Sequence, residues 1–185
     1  MTGPSVKTSL VREFLEELAK SLDLDVAARK VGIDRAEVRS IIESLIKCLP
    51  TEDDRVVVYI DGAARGNPGP AGVGIVVKDS AGRILKKAKK RIGSTTNNVA
   101  EYTALIEALK LARSMGKNSV EVFSDSELLV RQINGQYAVR AQALKPLYAR
   151  AMDYISGFSS FRITHISREN NTLADSLANE AIDGI

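Results

Sequence analysis

Apolar positions recur along this chain with two different periods, and the change of period divides it. Through residue 50 the spacing is helical. Leu10, Phe14, Leu15, Leu18 and Leu22 fall on one face, and a second helical pattern follows in DVAARKVGIDRAEVRSIIESLIKCL. Within it Ala28, Gly32, Val38 and Ile41 have the spacing of a helix-turn-helix: a small residue where two helices cross, a glycine in the turn, then apolar contacts from the second helix. Asp34 is placed to cap that second helix, and Glu37, three residues on, completes a capping box. Pro50 and the polar TEDDR after it read as a linker. The expected division is a helical, helix-turn-helix-like domain over 1–50, a linker over 51–55 and a second domain over 56–185.

From residue 56 short apolar runs alternate with turns and helices, the pattern of an α/β domain. VVVYI suits a central strand, and the glycine- and proline-rich DGAARGNPGPAG then turns the chain. GVGIVVK and RILKKAKKRIG flank the turn signal DSAG, so three consecutive antiparallel strands are expected. Thr95, Thr96, Asn97 and Asn98 offer caps for a helix over VAEYTALIEALKLARSMG, in which Val99, Leu105, Ile106, Leu109 and Ala112 keep helical spacing and Gly116 suits the end. SVEVFS reads as a strand, SELLVRQI and ALKPLYARAMDYI as helices, FRITHIS as the last strand and TLADSLANEAI as the terminal helix.

Composition narrows the class. The 185 residues fit one ordinary domain plus a small appendage. No stretch approaches the ~18 apolar residues of a membrane span, and the N-terminus lacks a basic-then-apolar leader, so a cytoplasmic protein with no membrane partner is expected. A single cysteine rules out an intrachain disulfide and a cysteine zinc cluster. The formal net charge of +3 is unevenly spread. Residues 1–50 hold eight basic and eight acidic side chains, so the excess belongs to the rest, including Arg83, Lys86, Lys87, Lys89, Lys90 and Arg91. That run reads either as a contact for a polyanion or as solvated protection of a strand edge. Neutrality of the first fifty residues, where Arg35 and Arg39 are balanced by Asp34, Glu37 and Glu43, weakens nucleic-acid binding by that piece. Packing against a partner or a second copy is the rival reading.

Four acids stand in separately recognisable settings: Asp61 in VVVYIDGAARGNPGPAG, Glu101 in TTNNVAEYTAL, Asp125 in VEVFSDSELLV and Asp175 in NNTLADSLAN. Each is at the end of an apolar strand pattern or on a helix, where an unpaired carboxylate is expensive to bury. Carboxylates gathered that way are held by a cation, and a divalent metal is the leading candidate. Singly, Asp125 also reads as a helix cap and Glu101 as a surface helix residue. Jointly, acids crowded at one end of a sheet would repel one another without cations.

The four motifs, in this order and at this spacing, resemble type 1 ribonuclease H over about residues 55–183. The resemblance implies a five-stranded mixed sheet flanked by helices, here preceded by the small all-helical domain. It implies hydrolysis of the RNA strand of RNA–DNA hybrids with Mg²⁺ or Mn²⁺, and makes Asp61, Glu101, Asp125 and Asp175 the metal-binding catalytic carboxylates. Two divalent ions roughly 4 Å apart would activate a water and neutralise the leaving 3′ oxygen. The resemblance also assigns substrate contacts to Asn67, Thr96, Asn97 and Asn98, whose amides and hydroxyls suit a minor groove and its 2′-hydroxyls. Backbone near Gly62 is expected to approach the strand closely. Turn formation and capping stay open as the alternative for Thr96 and Asn97.

The chain departs from the better-known members in two ways. NGQYAVRAQ replaces their basic helix-loop insertion, which is similar to the archaeal-type branch. Their mobile-loop histidine has no unambiguous counterpart: His165, ten residues before Asp175, lies in a strand pattern and reads as structural. Arg168, seven before Asp175, suits the arginine of the archaeal-type branch, able to steady phosphate charge but a poor proton shuttle. Asn171 is placed either to orient this loop or to cap the last helix. A nucleic-acid-binding module without turnover, and a nuclease also acting on duplex RNA, are the alternative functions.

Overall fold

The computed structural model describes residues 14–18, 20, 23–48 and 54–184, which fall in two compact units, 1–49 and 50–185. In the first, residues 14–18 are helical, followed by α1 (Leu24–Val31) and α2 (Arg35–Cys48). Asp23 caps α1 by accepting from the backbone N–H groups of Asp25 and Val26. Gly32, at φ 76°, ends α1 in the left-handed region that a turn this short requires. The capping box forms as expected: the Glu37 amide donates to Asp34 Oδ1 at 2.8 Å and the Asp34 amide to Glu37 Oε2 at 2.9 Å. Phe14, Ala27, Ala28, Ile33, Val38 and Ile41 form the buried core. Leu10, Leu22, Pro50 and residues 51–53 of the expected linker lie outside the described residues.

The second unit runs β1 (Arg55–Ala64), β2 (Gly69–Lys78), β3 (Ile84–Thr95), α3 (Asn97–Ser114), β4 (Ser119–Ser124), α4 (Glu127–Ile133), α5 (Lys145–Ser156), β5 (Ser160–His165), a 3₁₀ turn over Arg168–Asn170 and α6 (Thr172–Asp183). The sheet order is β3-β2-β1-β4-β5. The first three strands are antiparallel, whereas β1–β4 and β4–β5 are parallel. This is the five-stranded mixed sheet flanked by helices that the motifs imply. Arg55, read as linker from the sequence, already pairs with Ser119 and opens β1. Similarly, β2 starts at Gly69, ahead of GVGIVVK, because Gly69, Pro70 and Ala71 continue the pairing with β3.

Alternation decides which side each residue faces. Val56, Val58 and Ile60 join Val120, Val122 and Ile163 in packing on Tyr102, Leu105 and Leu109 of α3. On the opposite face Val76 packs on Ala174 and Leu177 of α6. The edge strand β3 is tied to helices on both faces, Lys90 to Glu107 of α3 at 3.2 Å and Lys89 to Glu180 of α6 at 2.9 Å. Lys86, Lys87 and Arg91 are exposed on the same strand. No helix among the described residues is long and apolar enough to cross a membrane.

Candidate active site

Parallel pairing sets Ile60 of β1 opposite Ser124 of β4, so the next residues, Asp61 and Asp125, leave the same end of the sheet. Glu101 comes to them from α3, and the approach depends on Gly62. A Cβ there would lie 2.2 Å from Ala100 C and 2.3 Å from Glu101 N, both backbone atoms that cannot yield. The missing side chain therefore lets the first turns of α3 rest on β1, and the Gly62 amide donates to the Glu101 carboxylate. Asp175 enters from the first turn of α6. All four acids converge. Asp61 is repelled by both Asp125 and Asp175, and Glu101 by both Asp61 and Asp125.

Asp61 and Glu101 are each only 5% exposed. Burial above all, then the charges of Asp125 and Asp175, push the Asp61 carboxyl up from 3.8 to about 7, against a smaller opposing pull from Arg168. The closeness of the Asp125 side chain adds a further, smaller rise. Burial and the same neighbours raise Glu101 well above the usual carboxylate range, partly opposed by the Gly62 amide. Its Oε2 is buried without a hydrogen-bond partner. Asp175 is held by the protein: Oδ1 accepts from Arg168 Nη2 at 2.6 Å and Nε at 3.2 Å, and Oδ2 from Asn179 Nδ2 at 3.2 Å.

Such a set of hard oxygen donors, crowded and short of positive charge, fits a divalent cation such as Mg²⁺. Among the described residues no three acidic, histidine or cysteine side chains already surround one point as metal ligands would. Asp175 is engaged by Arg168 instead, at 2.6 Å.

Comparison with known proteins decides the family. The model for the reverse transcriptase-like family matches residues 59–181. Ribonuclease HI of Halobacterium salinarum is 43% identical over 134 residues, 72% of this chain and 67% of that protein. The crystal structure of RNase H1 from the same archaeon has a TM-score of 0.69 at 44% identity, covering 71% of this chain and 99% of that one. The chain belongs to the type 1 ribonuclease H family. LC11-RNase H1, solved in complex with an RNA/DNA hybrid, has a TM-score of 0.67 at 46% identity, covering 70% of this chain and 97% of the other. The bifunctional protein Rv2228c of Mycobacterium tuberculosis is 42% identical over 130 residues, and the match spans only 36% of its length.

In the ribonuclease H unit Asn67, Asn97 and Asn98, expected to touch substrate, are exposed along a rim, Thr96 beside them is half-buried, and Gly62, expected with them, is buried. Asn97 Oδ1 accepts from the Ala64 amide at 3.2 Å and Asn67 Oδ1 from the Asn97 amide at 3.2 Å, which joins the β1–β2 loop to the start of α3. Thr96 caps α3, its Oγ1 accepting from the Val99 amide at 3.4 Å, while Asn98 is exposed. The close approach at Gly62 is filled by α3. His165 ends β5, as its strand pattern predicts, where it pairs with Ser124; its side chain is exposed.

For two side chains the capping alternative falls away. Ser126, not Asp125, caps α4, its Oγ accepting from the Leu129 amide at 3.5 Å, so Asp125 has no capping duty. Asn171 precedes α6 but makes no side-chain cap; its amide is directed into the acid cluster instead. Sequence reasoning also missed Asn179, although its place four residues after Asp175 on one helix face was the available signal.

Proposed function

We propose that Asp61, Glu101, Asp125 and Asp175 hold divalent metal and carry out hydrolysis of the RNA strand of RNA–DNA hybrids. The chain is a metal-dependent endoribonuclease of the ribonuclease H type. The observation that carries the assignment is the convergence of four acids from β1, α3, β4 and α6, two nearly buried and one with an orphaned oxygen. Mg²⁺ or Mn²⁺ suits these ligands, and when bound would activate the attacking water and neutralise the leaving oxygen.

The protein's own groups supply position and local charge. The Gly62 amide and the α3 backbone fix Glu101 over Asp61. Asn67 and Asn97 use their carbonyl oxygens within the protein, so their NH₂ groups are the donors for base edges and 2′-hydroxyls, beside Asn98 and Thr96 on the rim. Arg168, with its side chain 73% exposed and bonded to Asp175, is suited to meet a phosphate and not to move a proton. Residues 1–49 act as a separate module. Its zero net charge favours a protein partner or a second copy over the hybrid.

The test is cleavage of end-labelled hybrid and duplex RNA by the full chain with Mg²⁺ and with Mn²⁺, beside Asp125→Asn. Hybrid should be cut, and the variant should be slower by at least about 10²-fold, the usual loss when charge stabilisation is removed from an active site. Wild type cutting no faster than Asp125→Asn overturns the assignment; equal cutting of duplex RNA overturns hybrid specificity alone.

A further inference from the structure

Asn171 is 1% exposed and does two things with one amide group. Its Nδ2 donates to the backbone carbonyl of Ile60 at 2.8 Å and to Asp125 Oδ1 at 2.8 Å, using both of its hydrogens. The orientation is dictated by chemistry. Reversing the amide would set Oδ1 against a carbonyl and a carboxylate, two acceptors, and leave the NH₂ where Oδ1 now lies without a partner. A buried oxygen with no hydrogen bond carries an uncompensated desolvation penalty. The protein tolerates it while directing both donor hydrogens at the acid cluster.

The bonds link three of the four acids. The Ile60 carbonyl belongs to the peptide unit immediately before Asp61, so holding it fixes the backbone from which Asp61 projects. The second bond holds the Asp125 carboxylate itself. Asn171's own backbone carbonyl accepts from the Asp175 amide at 3.1 Å, which sets the first turn of α6. Asp61 and Asp125 come from parallel strands, whereas Asp175 arrives on a helix after a loop. Asn171 is the point at which these three elements meet.

We propose that Asn171 is a positioning residue that sets the spacing of Asp61, Asp125 and Asp175 for metal uptake. It touches neither substrate nor cation and acts through Asp125 and the Ile60 carbonyl. Alanine would free the Asp125 carboxylate to turn away and leave the Ile60 carbonyl buried without its donor. This role rests on the reading of the four acids as metal ligands.

The experiment is calorimetric titration of Mn²⁺ into the full chain, comparing wild type with Asn171→Ala and with Asn171→Leu, which keeps the branch at Cγ but cannot donate. Thermal unfolding and metal-free binding of hybrid are measured alongside. Both variants should bind Mn²⁺ about 10–100-fold more weakly, the range for removing a group that orients a metal ligand, with metal-free hybrid binding within about twofold of wild type, as Asn171 makes no rim contact. A folded variant with wild-type Mn²⁺ affinity overturns the role of Asn171. Parallel loss of metal and hybrid binding, or failure of both variants to fold, shows a structural hydrogen bond and also overturns it. A wild-type chain that takes up no Mn²⁺ is the separate result that removes the nuclease reading itself.

Discussion

Replacing Asp61 with asparagine should stabilise the metal-free protein while abolishing its activity. The folded state holds the Asp61 proton more tightly than the unfolded chain, with a carboxyl raised from 3.8 to about 7. A group raised in this way weakens folding as pH climbs through the interval between those values, because the unfolded chain releases its proton first. At about 1.4 kcal/mol per unit, the full penalty above neutral pH is on the order of 4 kcal/mol, falling to about 1–2 kcal/mol near pH 5. Asparagine keeps the shape without the charge and also relieves Glu101, whose raised carboxyl owes part of its shift to Asp61. The assay is thermal and urea unfolding of both chains in EDTA across about pH 5 to 8.5, taking the difference between them so that other titrating groups cancel. Near pH 8.5 the variant's midpoint should lie on the order of 10 °C higher. Added Mg²⁺ should raise the wild-type midpoint by binding the folded state and leave the variant's nearly unchanged. A variant no more stable than wild type at alkaline pH, or a gap that narrows as pH rises, refutes the argument from burial and repulsion.

Gly62→Ala should destabilise the ribonuclease H unit by at least about 1–3 kcal/mol in urea unfolding, since the new Cβ would meet the Ala100 carbonyl carbon at 2.2 Å and neither backbone can yield. Mn²⁺ titration of the same variant should show weaker binding as Glu101 is displaced; unaltered stability would contradict the close packing of α3 on β1. Arg168→Ala should bind Mn²⁺ more tightly than wild type because a cation competing for Asp175 is gone, yet turn over hybrid about tenfold more slowly. A weaker metal affinity in that variant would refute the competition. Deleting residues 1–49 should leave Mn²⁺ uptake unchanged, as each unit has its own buried core. Sedimentation or hybrid affinity should change, and identical values for the two chains would deny the N-terminal module either role.

Local rules were enough for much of this protein. The change from helical to alternating spacing marks the passage from the helical unit to the sheet, and the Asp34–Glu37 box is readable because its partners are three residues apart. The acids at 61, 101, 125 and 175 are equally legible, since each stands in its own motif. Their partners are not. Which carboxyl lies beside Asp125, why residue 62 must lack a side chain and where Lys89 finds Glu180 all depend on contacts between elements far apart in the chain. Asn171 shows the limit most plainly. Its position allows either a helix cap or a contact that orients the loop, and its amide bonds Ile60, 111 residues away, because parallel β1 and β4 deliver two acceptors to the loop before α6. Spacing along the chain determines which local structures can form. The packing of helices on the sheet determines which buried charges must face one another, and so which groups are left to hold a cation.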